Sequence, residues 1–374
     1  MLKNDFCISE GCYFLSHSVG RPLKSSQQYF TEHYLSPWQD SNKEPWQQWL
    51  PQIDAFTSAL GKLFNSPSSQ FCPQVNLSSG LTKLVMSHPQ LQQARCKVLM
   101  AQSDFPSMGF VMQKALPRCA EITFIPEEED LSDIAVWERY LTSDIDMVFV
   151  SHVYSNTGVQ APISDIVLRS KMTNSLSIID VAQSAGVLPI DLTTLDADFM
   201  IGSSVKWLCG GPGAAYLWVN QNQLEQCKPK DVGWFSHEDP FEFNINHFSY
   251  HHSALRFWGG TPSIAPYVIA VNSINYFADL TVRKVREHNL AMISNIHQHL
   301  SEFVVSPIQS NQCSGTVILF FKNKQQQILA ALGKANMSVD ERKHGIRVSP
   351  HIYTTKKDVN ALINTIKQAL KEFD

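Results

Sequence analysis

The 374-residue sequence predicts an α/β fold: a mostly parallel sheet sandwiched by helices, followed by a smaller α+β domain. Three observations predict it. Between residues 81 and 220, apolar runs of strand length alternate with helix-length stretches. After about residue 255 that rhythm stops. The chain is also too long for one small core, and with 44% hydrophobic and 17% charged residues it has the composition of a well-packed globule.

Residues 45–64 carry apolar positions at helical spacing. Strands are expected at 97–102, 121–126, 146–153, 175–182, 197–204 and 213–220, with helices near 81–91, 107–116, 130–141 and 162–173. Strictly alternating strands and helices give parallel strands joined by crossover helices, which cover both faces of the sheet. Further on, 281–303 reads as a long helix, 316–322 as a strand, 325–336 as a helix, 345–350 as a strand and 354–373 as an amphipathic helix. The expected division is a large domain at 41–255 and a small domain formed by 1–40 and 256–374.

Composition narrows the function. A net charge of −4 with no long basic run argues against nucleic acid as a partner. No apolar run approaches the ~20 residues that span a bilayer, and the first residues lack the apolar segment of a signal peptide. The eight cysteines form no CxxC pair and read as reduced thiols, so the cytoplasm is the expected compartment. No HExxH or spaced Cys/His set points to a metal, and Tyr250-His251-His252 reads as ordinary core or surface histidine.

In an open parallel sheet, ligands bind outside the carboxyl ends of the strands. Polar residues directly after the expected strands are therefore the candidates. Asp180 ends one strand, where a carboxylate can either cap a turn or pair with a protonated ring nitrogen. Lys206 follows the next strand, between Gly202-Ser203-Ser204 and Gly210-Gly211-Pro212-Gly213, where small residues let a cofactor approach the backbone. A desolvated lysine has a lowered pKa and forms Schiff bases. The pair points to pyridoxal 5′-phosphate (PLP), whose ring works as an electron sink when its nitrogen has an acidic partner. Ser79-Gly80-Leu81-Thr82 precedes a helical run and reads as a phosphate cup or an ordinary N-cap. Ser203 offers a further hydroxyl, and Phe105 follows a strand as a stacking ring or a core residue. Arg347 suits a substrate carboxylate or a surface ion pair.

In this order the pieces resemble the class V aminotransferase family of fold type I PLP enzymes, over nearly the whole chain. IIDVAQSAGVLPIDLTTLDADFMIGSSVKWLCGGPG and IRVSPHIYTTKKDVNALI carry the resemblance most specifically. It implies a large domain with a seven-stranded type of sheet, and a homodimer with active sites at the subunit interface. It implies that Lys206 holds the cofactor and shuttles protons, Asp180 pairs with the ring nitrogen, Gln183 meets the ring oxygen and Phe105 stacks on the ring. Gly80, Leu81, Thr82 and Ser203 are implied to hold phosphate, with Thr261 of GGTP reaching the partner's phosphate. Arg347 is implied to hold the substrate carboxylate, and either Ser155 or Asn156 a polar contact to cofactor or substrate.

Within the family the sequence looks most like the kynureninases. Asp104-Phe105-Pro106-Ser107 resembles their stacking motif, and VGWFSHE (232–238) the segment that would put Trp234 near phosphate and His237 in the substrate pocket. YFLSHSVGRP (13–22) resembles an N-terminal substrate segment in which His17 replaces asparagine. Val205, Gln183, Met108 and GGTP also depart from that pattern. The expected reaction is hydrolytic or eliminative side-chain cleavage of an α-amino acid with an aromatic or acyl side chain, with Lys206 taking the α-proton. An aminotransferase or amino-acid epimerase stays open. A cysteine desulfurase would need a thiol shortly before Arg347, and residues 323–346 hold none. A non-catalytic PLP-binding regulator is disfavoured by the presence of Lys206, Asp180 and Arg347 together.

Overall fold

A computed structural model describes residues 2–372. Its main sheet contains β1 (Phe71–Gln74), β2 (Lys97–Ala101), β3 (Glu121–Ile125), β4 (Met147–Ser151), β5 (Leu176–Asp180), β6 (Phe199–Ser203) and β7 (Ala215–Val219), in the spatial order β1-β7-β6-β5-β4-β2-β3. The strand pairs from β6 through β3 are parallel, whereas β7 runs antiparallel to both its neighbours. β4 and β5 are buried at every residue, which is why they read as mostly apolar, with Ser177 and the terminal Ser151 and Asp180 as the polar exceptions; β3, at the edge, exposes most of its length.

The sequence reading has no strand at β1. Pro73 sits in its middle and weakens the strand signal, since proline donates no ladder hydrogen bond. The structure tolerates it because β1 is an edge strand, with Pro73 opposite Tyr216.

Helix α1 (Trp46–Phe64) buries Ile53, Phe56, Leu60 and Phe64 at helical spacing and ends at Asn65 in the left-handed conformation. α2 (Leu77–Val85) begins four residues before the expected helix start at 81. Then come α3 (Pro106–Ala115), α4 (Ile134–Tyr140) and α5 (Ile163–Met172), close to their expected positions. α6 (Ala265–Leu280), absent from the sequence reading, packs along α1 and buries Tyr267, Val271 and Phe277 in the same core as Phe56. The packing thus joins α6 to the large sheet's core, although it follows residue 256.

A second core lies under β8 (Val317–Leu319), β9 (Asp340–Arg342) and β10 (Gly345–Val348), an antiparallel sheet in the order β9-β10-β8. Helices α7 (Val282–Leu300), α8 (Gln325–Lys334) and α9 (Lys356–Glu372) cover it. The N-terminal segment ties the two cores together. Phe14 is buried in the second, Phe6 and Leu23 in the first, and Cys12–Tyr13 pairs in parallel with Met337–Ser338. Among the described residues, no helix is long and apolar enough to cross a membrane.

Candidate active site

The parallel strands β4, β5 and β6 end together at one edge of the sheet, at Ser151, Asp180 and Ser203. A cavity of about 270 Å³ opens there, lined by these three residues and by Phe105, Gln183 and Lys206. Asp180 is buried, and its Oδ1 accepts the Ala182 N–H at 2.8 Å. Burial pushes its carboxyl pKa up, while the Ala182 N–H and the charge of Lys206 pull the other way. Burial likewise pulls the Lys206 ammonium below its ordinary value, against the opposing charge of Asp180. An amine kept nucleophilic by burial and a carboxylate facing it across a cavity form a site for Schiff-base chemistry.

A second carboxyl stands behind the first. Asp104 accepts the Ala101 N–H at 2.8 Å and the Ser151 hydroxyl at 2.7 Å. Burial pushes it up to about 7, and Asp180 adds to the shift.

The cavity meets the helix one turn earlier than Gly80-Leu81-Thr82. α2 starts at Leu77, so those three residues fall inside the helix. The Gly80 N–H is bonded to the Asn76 carbonyl at 3.2 Å, Leu81 is fully buried, and the Thr82 hydroxyl donates to the Ser78 carbonyl at 2.8 Å. The cavity instead meets Asn76, Leu77 and Ser78 at the helix N-terminus, where N–H groups have no intrahelical partner. Asn76 caps the helix by accepting the Ser79 N–H at 2.8 Å. An asparagine just before an amphipathic run is the N-cap signal that could have fixed this start.

Arg347 is not free. Its Nε donates to Asp340 Oδ1 at 2.8 Å, its Nη2 to Asp340 Oδ2, and its Nη1 to the Ser155 carbonyl at 3.1 Å. Ser155 lines the cavity, whereas Asn156 is not among its lining residues. His17 is buried, with its ring held between Ser349 at 2.6 Å and Asp340 at 2.9 Å, so the ring faces Arg347's partner and not the cavity. Its carbonyl accepts from Gln183 Nε2 at 3.1 Å.

Three expected site residues lie elsewhere in the single chain. Trp234 and His237 line a separate pocket of about 340 Å³ with Phe243 and Ile245. Thr261 shares a pocket of about 190 Å³ with Ser79 and Lys83.

The model of the aminotransferase class-V family matches residues 27–362. The chain belongs to that family. An uncharacterized aminotransferase, YcbU of Bacillus subtilis, is 24% identical over 86% of this chain and 85% of its own length. A kynureninase of Deinococcus radiodurans is 26% identical over 91% of this chain and 84% of its own. Among solved structures, an apo cysteine desulfurase of Thermococcus onnurineus superposes with a TM-score of 0.86 at 18% identity, covering 97% of this chain and 95% of that one. A C-DES mutant with glycine covalently linked to its PLP cofactor gives 0.85 at 18% identity, covering 96% of each chain. The architecture is therefore that of the fold type I enzymes.

The cofactor of this class V enzyme is PLP, and the residues fit it. One cavity gathers a partly buried amine at Lys206, a buried carboxylate at Asp180, a half-exposed aromatic ring at Phe105 and the unpaired N–H groups of a helix N-terminus. The sequence alone does not single out Asn76, Leu77, Ser78 and Ser151 as cavity residues, Asp104 bonded to Ser151, or Asp340 on Arg347.

Proposed function

We propose that this class V enzyme cleaves the side chain of an α-amino acid that carries an aromatic ketone, as a kynureninase does. The observation that carries the reading is the wall of the cavity. Its lining includes Val75, Phe105, Met108 and Val153 beside serines, and among the described residues no cysteine lines it. Such a wall suits a flat aromatic side chain and supplies no thiol for sulfur transfer. Two further features support it: the relatives named kynureninase and the segment that carries Trp234 and His237.

When bound, PLP supplies an electron sink for the carbon next to the amino group. The chain's own residues do the rest. The Lys206 amine holds the cofactor and then moves the α-proton through Nζ. Asp180, Gln183, Ser203, Phe105 and the α2 N-terminus would hold the cofactor, with Asp180 on the ring nitrogen, Gln183 on the ring oxygen, Phe105 over the ring and Ser203 with the helix N-terminus on the phosphate. Arg347 takes the substrate carboxylate on its remaining N–H groups. With kynurenine, water adds across the Cβ–Cγ bond and the products are anthranilate and alanine.

We place Trp234, His237 and Thr261 at a partner's site in a homodimer, His237 orienting the side-chain carbonyl. The exposed Phe241, Phe243 and Ile245 beside them support that placement. The free thiols of all eight cysteines agree with a cytoplasmic enzyme.

Borohydride reduction and peptide mapping test the first half: the pyridoxyl group is expected on Lys206, and its appearance on another lysine refutes the site. Incubation with L-kynurenine tests the second, with anthranilate fluorescence as the expected result. Formation of an α-keto acid in its place would favour the aminotransferase reading that YcbU suggests.

A further inference from the structure

Asp340 and Arg347 lie directly opposite one another on β9 and β10, as a register pair of the antiparallel ladder. Cross-strand partners project from the same face of a sheet, so the hairpin itself delivers the carboxylate to the guanidinium. Asp340 takes the Nε–Nη2 edge in the bidentate geometry that matches a guanidinium fork. The Ser155 carbonyl takes one N–H of Nη1 at 3.1 Å. A guanidinium has five N–H groups, so one N–H on each terminal nitrogen is left.

A chain of hydrogen bonds fixes Asp340 in turn. An ionised carboxylate only accepts, so His17 Nε2 carries the proton and donates to Asp340 Oδ1 at 2.9 Å. Burial lowers the His17 pKa and keeps the ring neutral, so Nδ1 accepts, and Ser349 donates to it at 2.6 Å. With its proton so used, Ser349 accepts from the Thr316 hydroxyl at 2.7 Å. Burial alone would raise the Asp340 pKa, but the hydrogen bonds from His17 and Arg347 outweigh it and hold the carboxyl well below its ordinary range. Asp340 therefore stays charged.

We propose that Asp340, braced by His17, is the positioning residue of the substrate-carboxylate site: it holds one edge of Arg347 so that the two remaining N–H groups meet an α-carboxylate. This rests on the reading that Arg347 receives that carboxylate. It also gives the N-terminal segment a function. Through His17, the first residues of the chain set the geometry of a side chain on β10. Asparagine at 340 would present an N–H to Nη2, donor against donor, and the guanidinium would turn away.

The test uses the PLP-loaded full chain and two probes, L-kynurenine and its decarboxylated counterpart kynuramine. Each is measured by calorimetric titration, and kynurenine also by KM and kcat. For Asp340→Asn the dissociation constant and KM of kynurenine are expected to rise about tenfold, the loss expected when hydrogen bonds to a charged group are misaligned. Kynuramine affinity, kcat and the cofactor absorbance are expected to stay within about twofold of wild type, a split that general destabilisation does not produce. His17→Phe, which removes only the brace, should shift kynurenine in the same direction by less, and it keeps the proposal testable if Asp340→Asn does not fold. Equal weakening of both probes, or no change in either, overturns the role of Asp340. Arg347→Lys separates that failure from the failure of the underlying reading. If Arg347→Lys leaves the preference for kynurenine over kynuramine intact, or if the wild type shows no such preference, Arg347 is not the carboxylate site and both proposals fall.

Discussion

Gly20 donates its backbone N–H to the carbonyl of Val205 at 2.8 Å, which docks the N-terminal segment on the residue preceding Lys206. There is no room for a side chain at this contact. A Cβ on Gly20 would lie 2.1 Å from the Lys206 carbonyl oxygen and 2.6 Å from Cys209 Sγ. Both obstacles belong to the loop that carries Lys206, and a backbone carbonyl cannot swing aside as a flexible side chain can. Gly20→Ala is therefore expected to displace the Lys206 loop at a cost of about 1–3 kcal/mol, the range for overpacking. It should also reduce kcat by at least tenfold. Urea unfolding followed beside steady-state kinetics checks this, and a variant with wild-type values of both refutes it.

The register of the proposed phosphate cup gives a second prediction. The N–H groups facing the cavity belong to the first turn of α2, at Leu77 and Ser78, and not to Gly80-Leu81-Thr82. A carboxylate in a first turn favours the helix but repels a bound phosphate. Ser78→Asp should fold normally and lose PLP. Thr82→Val removes only the hydrogen bond to the Ser78 carbonyl and should leave the PLP dissociation constant unchanged. Absorbance titration of the cofactor-free protein with PLP reads both, and the opposite ranking would return the cup to Thr82.

That register shows where the sequence was informative and where it was not. The strand ends are legible because burial on both faces makes β4, β5 and β6 mostly apolar, so Asp180 at the end of β5 and Lys206 just after β6 stand out as charged residues. The start of α2 is hard to place from the sequence because it is set by its cap, and Asn76 lies ahead of Ser79-Gly80. β1 was hidden by Pro73, whose edge position no local pattern reveals. Asp340 was out of reach for another reason. Its pairing with Arg347 depends on the register of a hairpin, and its hold on His17 joins residues from opposite ends of the chain. Trp234, His237 and Thr261 came from resemblance alone, and one chain does not bring them to Lys206.

Asp104 gives a pH prediction. In an unfolded chain an aspartate titrates near 3.9, but in the folded protein burial pushes Asp104 up to about 7, despite its bonds to Ser151 and Ala101. Between about pH 4 and pH 7 the folded state thus holds a proton that the unfolded chain has released. Stability from this group is greatest at low pH, falls as pH rises through that window and is flat above it. Asparagine imitates the neutral form at every pH. Asp104→Asn should therefore gain on wild type by on the order of 3–4 kcal/mol between pH 4 and pH 8. Denaturant unfolding of both proteins at several pH values measures the difference, which cancels the titration of other groups. Parallel curves would show that Asp104 is ionised throughout.

Asp180 and Lys206 shift one another, and that coupling can be read without any catalysis. Burial lowers the Lys206 pKa, and the nearby Asp180 charge limits the fall. Removing the charge removes the limit. In cofactor-free Asp180→Asn, the pH midpoint for modification of Lys206 by an amine reagent should move below the wild-type midpoint, because less proton affinity is left at Nζ. The same substitution also takes away the proposed acceptor for the protonated ring nitrogen. In the PLP-loaded variant kcat should drop by roughly 10²–10⁴-fold, the range for losing a group that manages a proton in the transition state. The two effects have separate readouts: peptide mapping of the modified lysine across pH, and steady-state rates. A midpoint that stays in place or rises would mean that Asp180 does not sense Lys206, and the pairing across the two strand ends would have to be abandoned.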